Sequence, residues 1–358
     1  MTSSISPKHS SELTLPDQVH IDQLREALWS SDIHGRAAVM IGSGFSRNAK
    51  PVGPKTPTFP LWAELMKKII RELMPLGDAA QEHYQYLKEL SQSTSGALRL
   101  AQEYEALHGR SKLERLLKKA IPDNHYSPDK IHHMLLQLPW ADVFTTNWDT
   151  LLDRAADSLY ERRYDRVLRK EDIPFTMRPR LVKLHGSFPS ITPFILTEDD
   201  FRTYPLKFSP FVNLVQQSMM ENLFCLIGFS GDDPNFLAWS GWIRDNLGNN
   251  RPNIYLCGLL NLREGERRLL EERKIIPIDL SPLFFSQADK NLANRHNLSI
   301  EWFLKNLMKG EPPKAINWPT TQQSDVNDID DLLKIPGFSG PVPIEEKILP
   351  PQRGAEKR

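Results

Sequence analysis

Four segments of the sequence carry polar side chains that could perform chemistry, and each follows a short apolar run. They are GSGFS at 42–46, TTNWD at 145–149, LHGS at 184–187 and GFSGDDPN at 228–235. A short apolar run that ends in a polar turn is typical of a buried parallel strand and the loop after it. Ligands of open α/β sheets bind at the carboxyl ends of the strands. We therefore expect the four segments to converge on one cleft.

The first segment has the composition of a phosphate-binding turn. Glycine has no Cβ, so the backbone can take positive φ angles and let a ligand approach closely. A helix that begins there would add free N–H groups and the positive end of its dipole, which together bind anions. The residues predicted to bind a nucleotide phosphate are Gly42, Ser43, Gly44, Phe45 and Ser46. Arg47 stands where the GxGxxG fingerprint has its third glycine, so a tight turn without a ligand remains the alternative.

The other three segments supply candidates for catalysis and ribose binding. His185 follows a strand, and an imidazole there could act as a base near neutral pH. Asn147 cannot be a base, but its amide could hold a water or a ribose hydroxyl in place. Asp149 either contributes to the cleft or caps the helix that follows it. Ser230 is predicted to contact a ribose or phosphate; it is not a nucleophile elbow, because Asp232 occupies the second glycine of GxSxG.

Gly228 and Asp233 complete the predicted binding residues. We predict no metal site. His125, His132 and His133 lie close in sequence, but adjacent residues on a helix point about 100° apart and make poor joint ligands. Roles in the core or at the surface are favoured for them.

Composition excludes several classes of protein. The formal net charge of the 358 residues is zero, which gives no support to nucleic-acid binding. The two cysteines, Cys225 and Cys257, stand in apolar runs and are expected to be buried thiols in a reducing compartment. The first residues lack the apolar core of a signal peptide, and no apolar run is long enough to span a membrane. A cytoplasmic location is the expectation.

Apolar spacing predicts an alternation of strands and helices, and hence an α/β fold with a Rossmann-like parallel sheet and helices on both faces. Predicted strands cover 37–41, 141–146, 181–184, 194–196, 223–227, 254–260 and 275–280. Predicted helices cover 21–29, 61–73, 84–90, 97–107, 112–120, 131–137, 150–156, 208–223, 236–247, 264–273 and 300–308. We expect a flexible arm at 1–20, one domain at 21–309 with a helical insertion at about 61–138, and an extended proline-rich tail at 310–358. The prolines at 48–60 predict a loop that either closes over a ligand or merely connects two elements.

The four segments, in this order, resemble the sirtuin-like (SIR2-like) domain family over roughly residues 36–280. GSGFS resembles the family's phosphate-binding turn, TTNWDTLLDRA its Thr-x-Asn-x-Asp turn and the helix after it, LHGS its catalytic His-Gly, and LIGFSGDDPN its late ribose-binding turn. IHHMLLQLPWADVFTTNWD and ILTEDDF are similar to the bacterial branch that lacks deacetylase hallmarks.

Two departures distinguish the chain from deacetylating sirtuins. It cannot form their four-cysteine zinc module, so no zinc is expected, and PVGPKTPTFPLW replaces their Pro-Asp-Phe-Arg segment. The resemblance therefore implies an NAD⁺ hydrolase of bacterial antiphage defence, with NAD⁺ as substrate. It also implies a homo-oligomer and a partner protein such as an ATPase or an infection sensor.

Other functions remain open from the sequence. One is an NAD- or ADP-ribose-binding regulatory module without turnover. Another is an NAD-dependent deacylase or ADP-ribosyltransferase. A classical dehydrogenase is disfavoured by the missing third glycine.

Overall fold

The computed structural model describes residues 15–31, 33–54, 56–74, 80–160, 162–229, 231–284 and 292–311. The predicted arm before residue 15, the tail after 311 and Ser230 lie outside the described residues. The strands are β1 (Ala37–Ile41), β2 (Lys50–Pro51), β3 (Tyr126–Ser127), β4 (Asp142–Thr145), β5 (Asp165–Val167), β6 (Arg180–Lys183), β7 (Leu223–Ile227), β8 (Ile254–Gly258) and β9 (Ile275–Asp279).

Fourteen α-helices are described. They are α1 (Gln18–Leu28), α2 (Ser43–Ser46), α3 (Trp62–Leu73), α4 (Ala80–Leu90), α5 (Thr94–His108), α6 (Arg110–Ala120), α7 (Lys130–Gln137), α8 (Leu151–Asp157), α9 (Glu198–Lys207), α10 (Ser209–Glu221), α11 (Pro234–Leu247), α12 (Glu264–Glu272), α13 (Ser281–Phe284) and α14 (Leu292–Met308). Short 3₁₀ helices cover Asp123–His125, Lys170–Phe175 and Gly248–Asn250.

Seven strands form a parallel sheet in the order β5-β6-β4-β1-β7-β8-β9. From β1 the chain passes to its neighbour β4, then to the edge strand β5 and back to β6 between them, and then crosses to β7 on the other side of β1. The strand order therefore reverses at β1, which is where such sheets open a ligand crevice. The predicted Rossmann-like α/β fold with helices on both faces is confirmed.

Alternate residues of the central strands enter two different cores, as the two-residue period of a strand requires. Val39 and Ile41 of β1 pack with α1, α7, α8 and α14 on one face of the sheet. Ala38 and Met40 pack with α9, α10 and α11 on the other. Strands covered on both sides must be apolar throughout, and this explains why they could be predicted from short apolar runs.

Helices α3 to α6 form a separate layer, which we call the helical layer. It has its own apolar core, in which Leu65, Ile69 and Leu117 are buried, and that core also takes in Trp148 and Phe194 from the sheet domain. Helix α7 packs instead on the sheet. The helical layer thus rests against the polar turns that follow β4 and β6.

Several predicted elements differ from the structure. Residues 194–196 are not a strand. Prolines at 189 and 193 precede them, and the nearest β pairing is an isolated bridge between Ser187 and Ile191. The predicted helix at 208–223 is α10. Helix α9 precedes it; the pair Thr197 and Asp200 indicates its start in the sequence, but its extent was not predicted. Edge strand β5 was also missed, since Val167 alone of its three residues is buried. Helix α14 begins at Leu292, eight residues before the prediction.

Candidate functional site

A cavity of about 480 Å³ lies at the carboxyl ends of the central strands. The turns after β1, β4, β6 and β7 all contribute to its lining, as the sequence predicted. The predicted residues that line it are Gly42, Ser43, Gly44, Ser46, Asn147, Asp149, His185, Gly228 and Asp233. Ser230 lies outside the described residues. The convergence of these segments makes the cavity the candidate active site.

The glycine turns after β1 and β7 pack directly on one another. The N–H of Gly44 donates to the carbonyl oxygen of Gly228 at 3.0 Å, and that of Gly42 donates to Ile227 at 3.1 Å. A Cβ on Gly42 would lie 2.4 Å from the Gly228 oxygen, and one on Gly228 would lie 2.4 Å from the Phe45 nitrogen. Glycine is therefore required at these positions because the two backbones approach each other closely, next to β1 where the strand order reverses.

The helix after the first glycine turn is shorter than its proposed anion-binding role requires. Helix α2 is a single turn, Ser43–Ser46, and the Phe45 N–H already donates to Gly42 at 3.0 Å. One turn sums few peptide dipoles, so the anion site expected from a helix N-terminus is weak here. Ser43 is exposed at the cavity, whereas the Phe45 side chain is buried in the core and does not line it.

Asn147 is held by two hydrogen bonds that fix its orientation. Its Nδ2 donates to the Gly42 oxygen at 3.0 Å and to Ser46 Oγ at 2.9 Å. Ser46 Oγ in turn donates to Asp149 Oδ2 at 2.7 Å. Both amide hydrogens of Asn147 are thereby used, and its Oδ1 has no hydrogen-bond donor in the described part of the chain. That oxygen is the group that Asn147 can offer to a water or a ribose hydroxyl.

Asp149 serves structure as well as the site. Its Oδ1 accepts from the Leu151 N–H at 3.2 Å, at the start of α8, which is the capping role weighed as an alternative from the sequence. Burial raises the pKa of the carboxyl, while Lys183 and the Ser46 hydroxyl act to lower it. Asp149 therefore links the first turn of α8 to Asn147 through Ser46.

A buried lysine that the sequence analysis missed supports the same turn. Lys183, the last residue of β6, is 1% exposed. Its Nζ donates to the Asp149 carbonyl oxygen and lies 3.3 Å from Asp153 Oδ2. Because both partners of Lys183 are thirty or more residues away in sequence, no local sequence pattern predicts this contact. It ties the strand that carries His185 to the turn that carries Asn147.

His185 is enclosed by aromatic rings at the end of β6. Phe201 and Tyr204 of α9 meet it edge-on at centroid distances of 5.4 and 5.7 Å. Its Nε2 lies 3.4 Å from Asn235 Nδ2, a residue at the start of α11 that the sequence analysis did not single out. Its backbone oxygen accepts from the Trp148 indole at 2.9 Å. The ring is fixed mainly by packing.

The surroundings of His185 favour its neutral form. Burial lowers the pKa of the imidazole, and the negative charges of Asp233 and Asp200 oppose that shift without reversing it. A neutral imidazole has a nitrogen that can accept a proton. The structure is thus compatible with a base at position 185.

Asp233 lines the cavity and also caps α11. Its Oδ1 accepts from the Phe236 N–H at 3.1 Å, and Pro234 follows at the first helical position. One carboxylate oxygen is therefore committed to the helix, so any contact with a ligand would come from the other. Asp232 lines the cavity beside it.

The helical layer and the proline-rich loop supply an apolar wall that the sequence did not specify. Trp62 of α3 and Trp148 lie with ring centroids 6.5 Å apart, and Phe59, Leu98 and Phe229 line the cavity nearby. Cys257 to Leu260, at the end of β8 and just beyond it, also line the cavity, together with His296 of α14. Burial, and secondarily the charge of Arg47, lower the pKa of His296. The lining of the cavity thus combines the polar turns with apolar side chains.

The histidines at 125, 132 and 133 do not line the cavity. His125 is exposed, and His133 hydrogen-bonds Ser158 Oγ at 2.9 Å. His132 is fully buried, packs edge-on against Phe45 at 5.1 Å, and accepts from the Asp129 N–H at 3.2 Å. In the ranges that the structure describes, no group of three or more histidine, cysteine, aspartate or glutamate side chains could hold a metal ion.

Among the described helices, none combines the length and apolarity needed to cross a membrane.

One family model matches part of the sheet domain. Residues 141–278 match the family model described as the SIR2-like domain. This range carries the segments with Asn147, His185 and Gly228, but it begins after the first glycine turn.

Curated relatives match parts of the chain. It is 32% identical over 161 residues to the NAD(+) hydrolase ThsA of Acinetobacter baumannii, covering 44% of this chain and 33% of the relative. It is 25% identical over 268 residues to the NAD(+) hydrolase ThsA of Enterococcus faecium, covering 72% and 48%. It is 26% identical over 221 residues to the Defense-associated sirtuin 2 of Bacillus subtilis, covering 60% and 20%. The chain spans less than half the length of each of these relatives.

Among solved structures, the protein is similar to a Sir2 homologue in complex with NAD. The sequence identity is 13% and the TM-score 0.39, with 80% of this chain and 94% of that chain covered.

Proposed function

We propose that this protein is an NAD⁺ glycohydrolase, which cleaves NAD⁺ to nicotinamide and ADP-ribose. Its residues 141–278 match the SIR2-like domain model. The observation that carries the proposal is the convergence on one cavity of an oriented asparagine, a neutral buried histidine and two glycine turns. Matches to curated proteins named NAD(+) hydrolase support the same activity.

Hydrolysis of NAD⁺ requires the protein to hold the substrate and a water in position and to supply a base. Water attacks C1′ of the nicotinamide-bearing ribose, and the bond from C1′ to the pyridinium nitrogen breaks. The nitrogen keeps the electron pair, so nicotinamide leaves neutral and needs no proton. The water loses one proton, which a neutral imidazole can accept. A held substrate, a placed water and one base are therefore sufficient.

The residues divide between these tasks. We assign His185 to proton acceptance, because burial lowers its pKa and leaves it neutral at pH 7. We assign the free Oδ1 of Asn147 to the water or the ribose hydroxyl. Ser46 has its proton committed to Asp149, so we assign it to orienting Asn147. The diphosphate is assigned to the cavity side of the two glycine turns, at Ser43 and Gly44.

The direct test is release of nicotinamide from NAD⁺ by the purified protein without any peptide or acyl substrate. Asn147→Ala and His185→Gln are expected to lower the rate by on the order of 10²–10⁴-fold, because each removes a positioning or proton-accepting group. Glutamine is preferred at 185, since alanine would leave a cavity among the rings of Phe201 and Tyr204.

The matched control is His133→Ala, which removes a histidine that hydrogen-bonds Ser158 and does not line the cavity. It should retain wild-type turnover. His132→Ala is unsuitable as a control, because that ring packs against Phe45 of the glycine turn. Turnover that requires an acyl-lysine peptide would refute the hydrolase and favour a deacylase. Tight ADP-ribose binding with no release of nicotinamide would instead indicate a regulatory module.

We further propose that the activity serves antiphage defence through depletion of NAD⁺ in the bacterial cytoplasm. The similarity to the Defense-associated sirtuin 2 supports this setting. A homo-oligomer and a second defence protein, an ATPase or an infection sensor, belong to the same proposal. Zinc has no part in it, and no nucleic acid is required.

A further inference from the structure

An arginine of the helical layer connects that layer to the helix that encloses His185. Arg110 is the first residue of α6 and is about one quarter exposed. Its Nη1 lies 2.9 Å from Asp200 Oδ2 on α9, and its Nη2 donates to the Phe194 carbonyl oxygen at 2.7 Å. One planar guanidinium thus binds two points of the segment that leads into α9, a geometry that arginine's fork allows.

The partner carboxylate also fixes the start of α9. Asp200 Oδ2 accepts from the backbone N–H groups of Leu196 and Thr197 at 2.9 and 3.0 Å, while Thr197 Oγ1 accepts from the Asp200 N–H at 3.2 Å. This is a capping box, which sets the entry of the chain into the helix. Arg110 therefore holds the end of α9 at which its direction is determined.

Helix α9 in turn holds His185. Phe201 stands next to Asp200 and meets the imidazole edge-on, as does Tyr204 one turn later. The Tyr204 hydroxyl donates to the Leu184 oxygen at 2.8 Å, which fixes the backbone immediately before His185. A displacement of α9 would thus move both the walls around the imidazole and the chain that carries it.

We propose that Arg110 is a positioning residue for His185, acting through its ion pair with Asp200 and the rings of α9. The helical layer then does more than cover the cavity: a ligand or partner that moves α6 would alter the orientation of the candidate base. This inference rests on the proposed role of His185 in NAD⁺ cleavage.

The test uses the full chain and compares Arg110→Gln, Asp200→Asn and the double variant. Asparagine at 200 keeps an oxygen that can accept from Leu196 and Thr197, but it loses the charge that pairs with Arg110. We expect each single variant to lower kcat by on the order of ten- to a hundred-fold with a smaller change in KM, because misplacement of a reacting group by about 1 Å costs up to 10²-fold. The double variant should be little worse than either single one, as residues that act as a pair are not additive.

Two controls separate positioning from loss of packing or charge. Arg115→Gln removes an exposed arginine from the same helix and should behave as wild type. Glu114→Gln removes a different carboxylate partner of Arg110, 3.2 Å away on α6 itself. It should lower the melting temperature without changing kcat more than twofold. Arg110→Lys keeps the charge but not the fork, and an intermediate kcat is expected.

A second measurement does not depend on turnover. The signal of His185 in protein labelled at histidine ¹³Cε1, assigned by its loss in His185→Gln, can be titrated with pH. Asp200 on α9 and Asp233, the N-cap of α11, are the carboxylates whose charges favour the imidazolium. Arg110→Gln exposes His185 to the full charge of Asp200 and should move its titration to higher pH. Asp200→Asn should move it to lower pH.

The outcomes are distinct for the two proposals. If wild-type protein releases no nicotinamide, the proposed function fails, and the titration of His185 alone decides whether Arg110 acts on it. The inference is overturned if Arg110→Gln and Asp200→Asn match Arg115→Gln in both kcat and the His185 titration. It is also overturned if Glu114→Gln reproduces their loss of kcat.

Discussion

Individual glycines near the candidate site are needed for two different reasons, a positive φ angle and close backbone packing, which a sequence motif does not distinguish. Gly228 has a φ angle of 62° and sits against the backbone of Gly44 and Phe45. Gly231, three residues later, has a φ angle of 80°, but nothing lies within 4 Å of the position of its Cβ. Gly228 is therefore needed both for its positive φ angle and for close packing, whereas Gly231 is needed only for its positive φ angle.

This difference predicts two costs of substitution by alanine. Gly231→Ala should lower the free energy of unfolding by roughly 1–2 kcal/mol, the cost of a left-handed conformation with a Cβ. Gly228→Ala should lower it by about 3 kcal/mol or more, because its Cβ would also lie 2.4 Å from the Phe45 nitrogen. Urea unfolding followed by circular dichroism measures both. Equal costs would mean that the two glycine turns can separate without loss.

Some residues of the candidate site could be predicted from the sequence and others could not. Asn147 and His185 follow apolar strands, and the rule that ligands bind at strand ends placed them in one cavity. Lys183, Asn235 and Arg110 were missed. Their partners lie far away in sequence, and a lysine inside an apolar run or an arginine at a helix start is locally ordinary. Fold topology predicts where strand ends meet, but not which distant side chains support them.

At the scale of elements, helix α7 shows how a capping box can depend on pH. Asp129 caps the helix, and the ring of His132 at its third position accepts from the Asp129 N–H. Burial, and secondarily His133, lower the pKa of His132 to about 4, although Asp129 acts in the opposite direction. The position usually holds glutamate or glutamine, which keep an acceptor oxygen over this range of pH.

The buried ring predicts that the protein loses stability in mild acid. The unfolded chain takes up this proton near pH 6.5 and the folded one only near pH 4, so between these values the unfolded state binds more protons. The free energy of unfolding should therefore fall with falling pH, by up to about 1.4 kcal/mol per pH unit from this group. Burial lowers the pKa of His185 and His296 too, which adds to the slope.

The variant that tests this is His132→Gln, since glutamine preserves the acceptor for the Asp129 N–H. It should reduce the slope of unfolding free energy against pH between pH 6.5 and 4. His133→Gln on the same helix should reduce it less, because His133 contributes only secondarily to the lowered pKa of His132. Unfolding in urea at several pH values provides the measurement. An unchanged slope in His132→Gln would show that the imidazole is protonated without penalty.

Elements were predictable in proportion to their burial. Strands β1, β4, β7 and β8 are covered on both faces, and their apolar runs identified them. Two of the three residues of edge strand β5 are charged. Residues 194–196 are apolar because they pack between the helical layer and the sheet, without strand pairing. Apolar runs report burial, and burial implies a strand only where the chain also finds a partner.

At the scale of the whole molecule, the cavity is built jointly by the sheet and the helical layer. The sheet supplies the polar turns, while Trp62, Leu65 and Leu98 of the layer form part of the wall. A substrate held there contacts both parts, so its binding would favour one arrangement of them. We therefore expect the position of the layer to affect the proposed activity.

The last prediction concerns assembly. An enzyme that cleaved NAD⁺ constantly would deplete its own host, so we expect the isolated chain to be weakly active and the active form to be an assembly. Specific activity should then rise with protein concentration and reach a plateau, because association follows mass action. Nicotinamide release measured over a dilution series, with mass photometry or light scattering on the same samples, tests this. His185→Gln should assemble over the same concentrations and remain inactive, which separates assembly from chemistry. A monomer that turns over at a constant specific activity across the series would show that the control lies elsewhere.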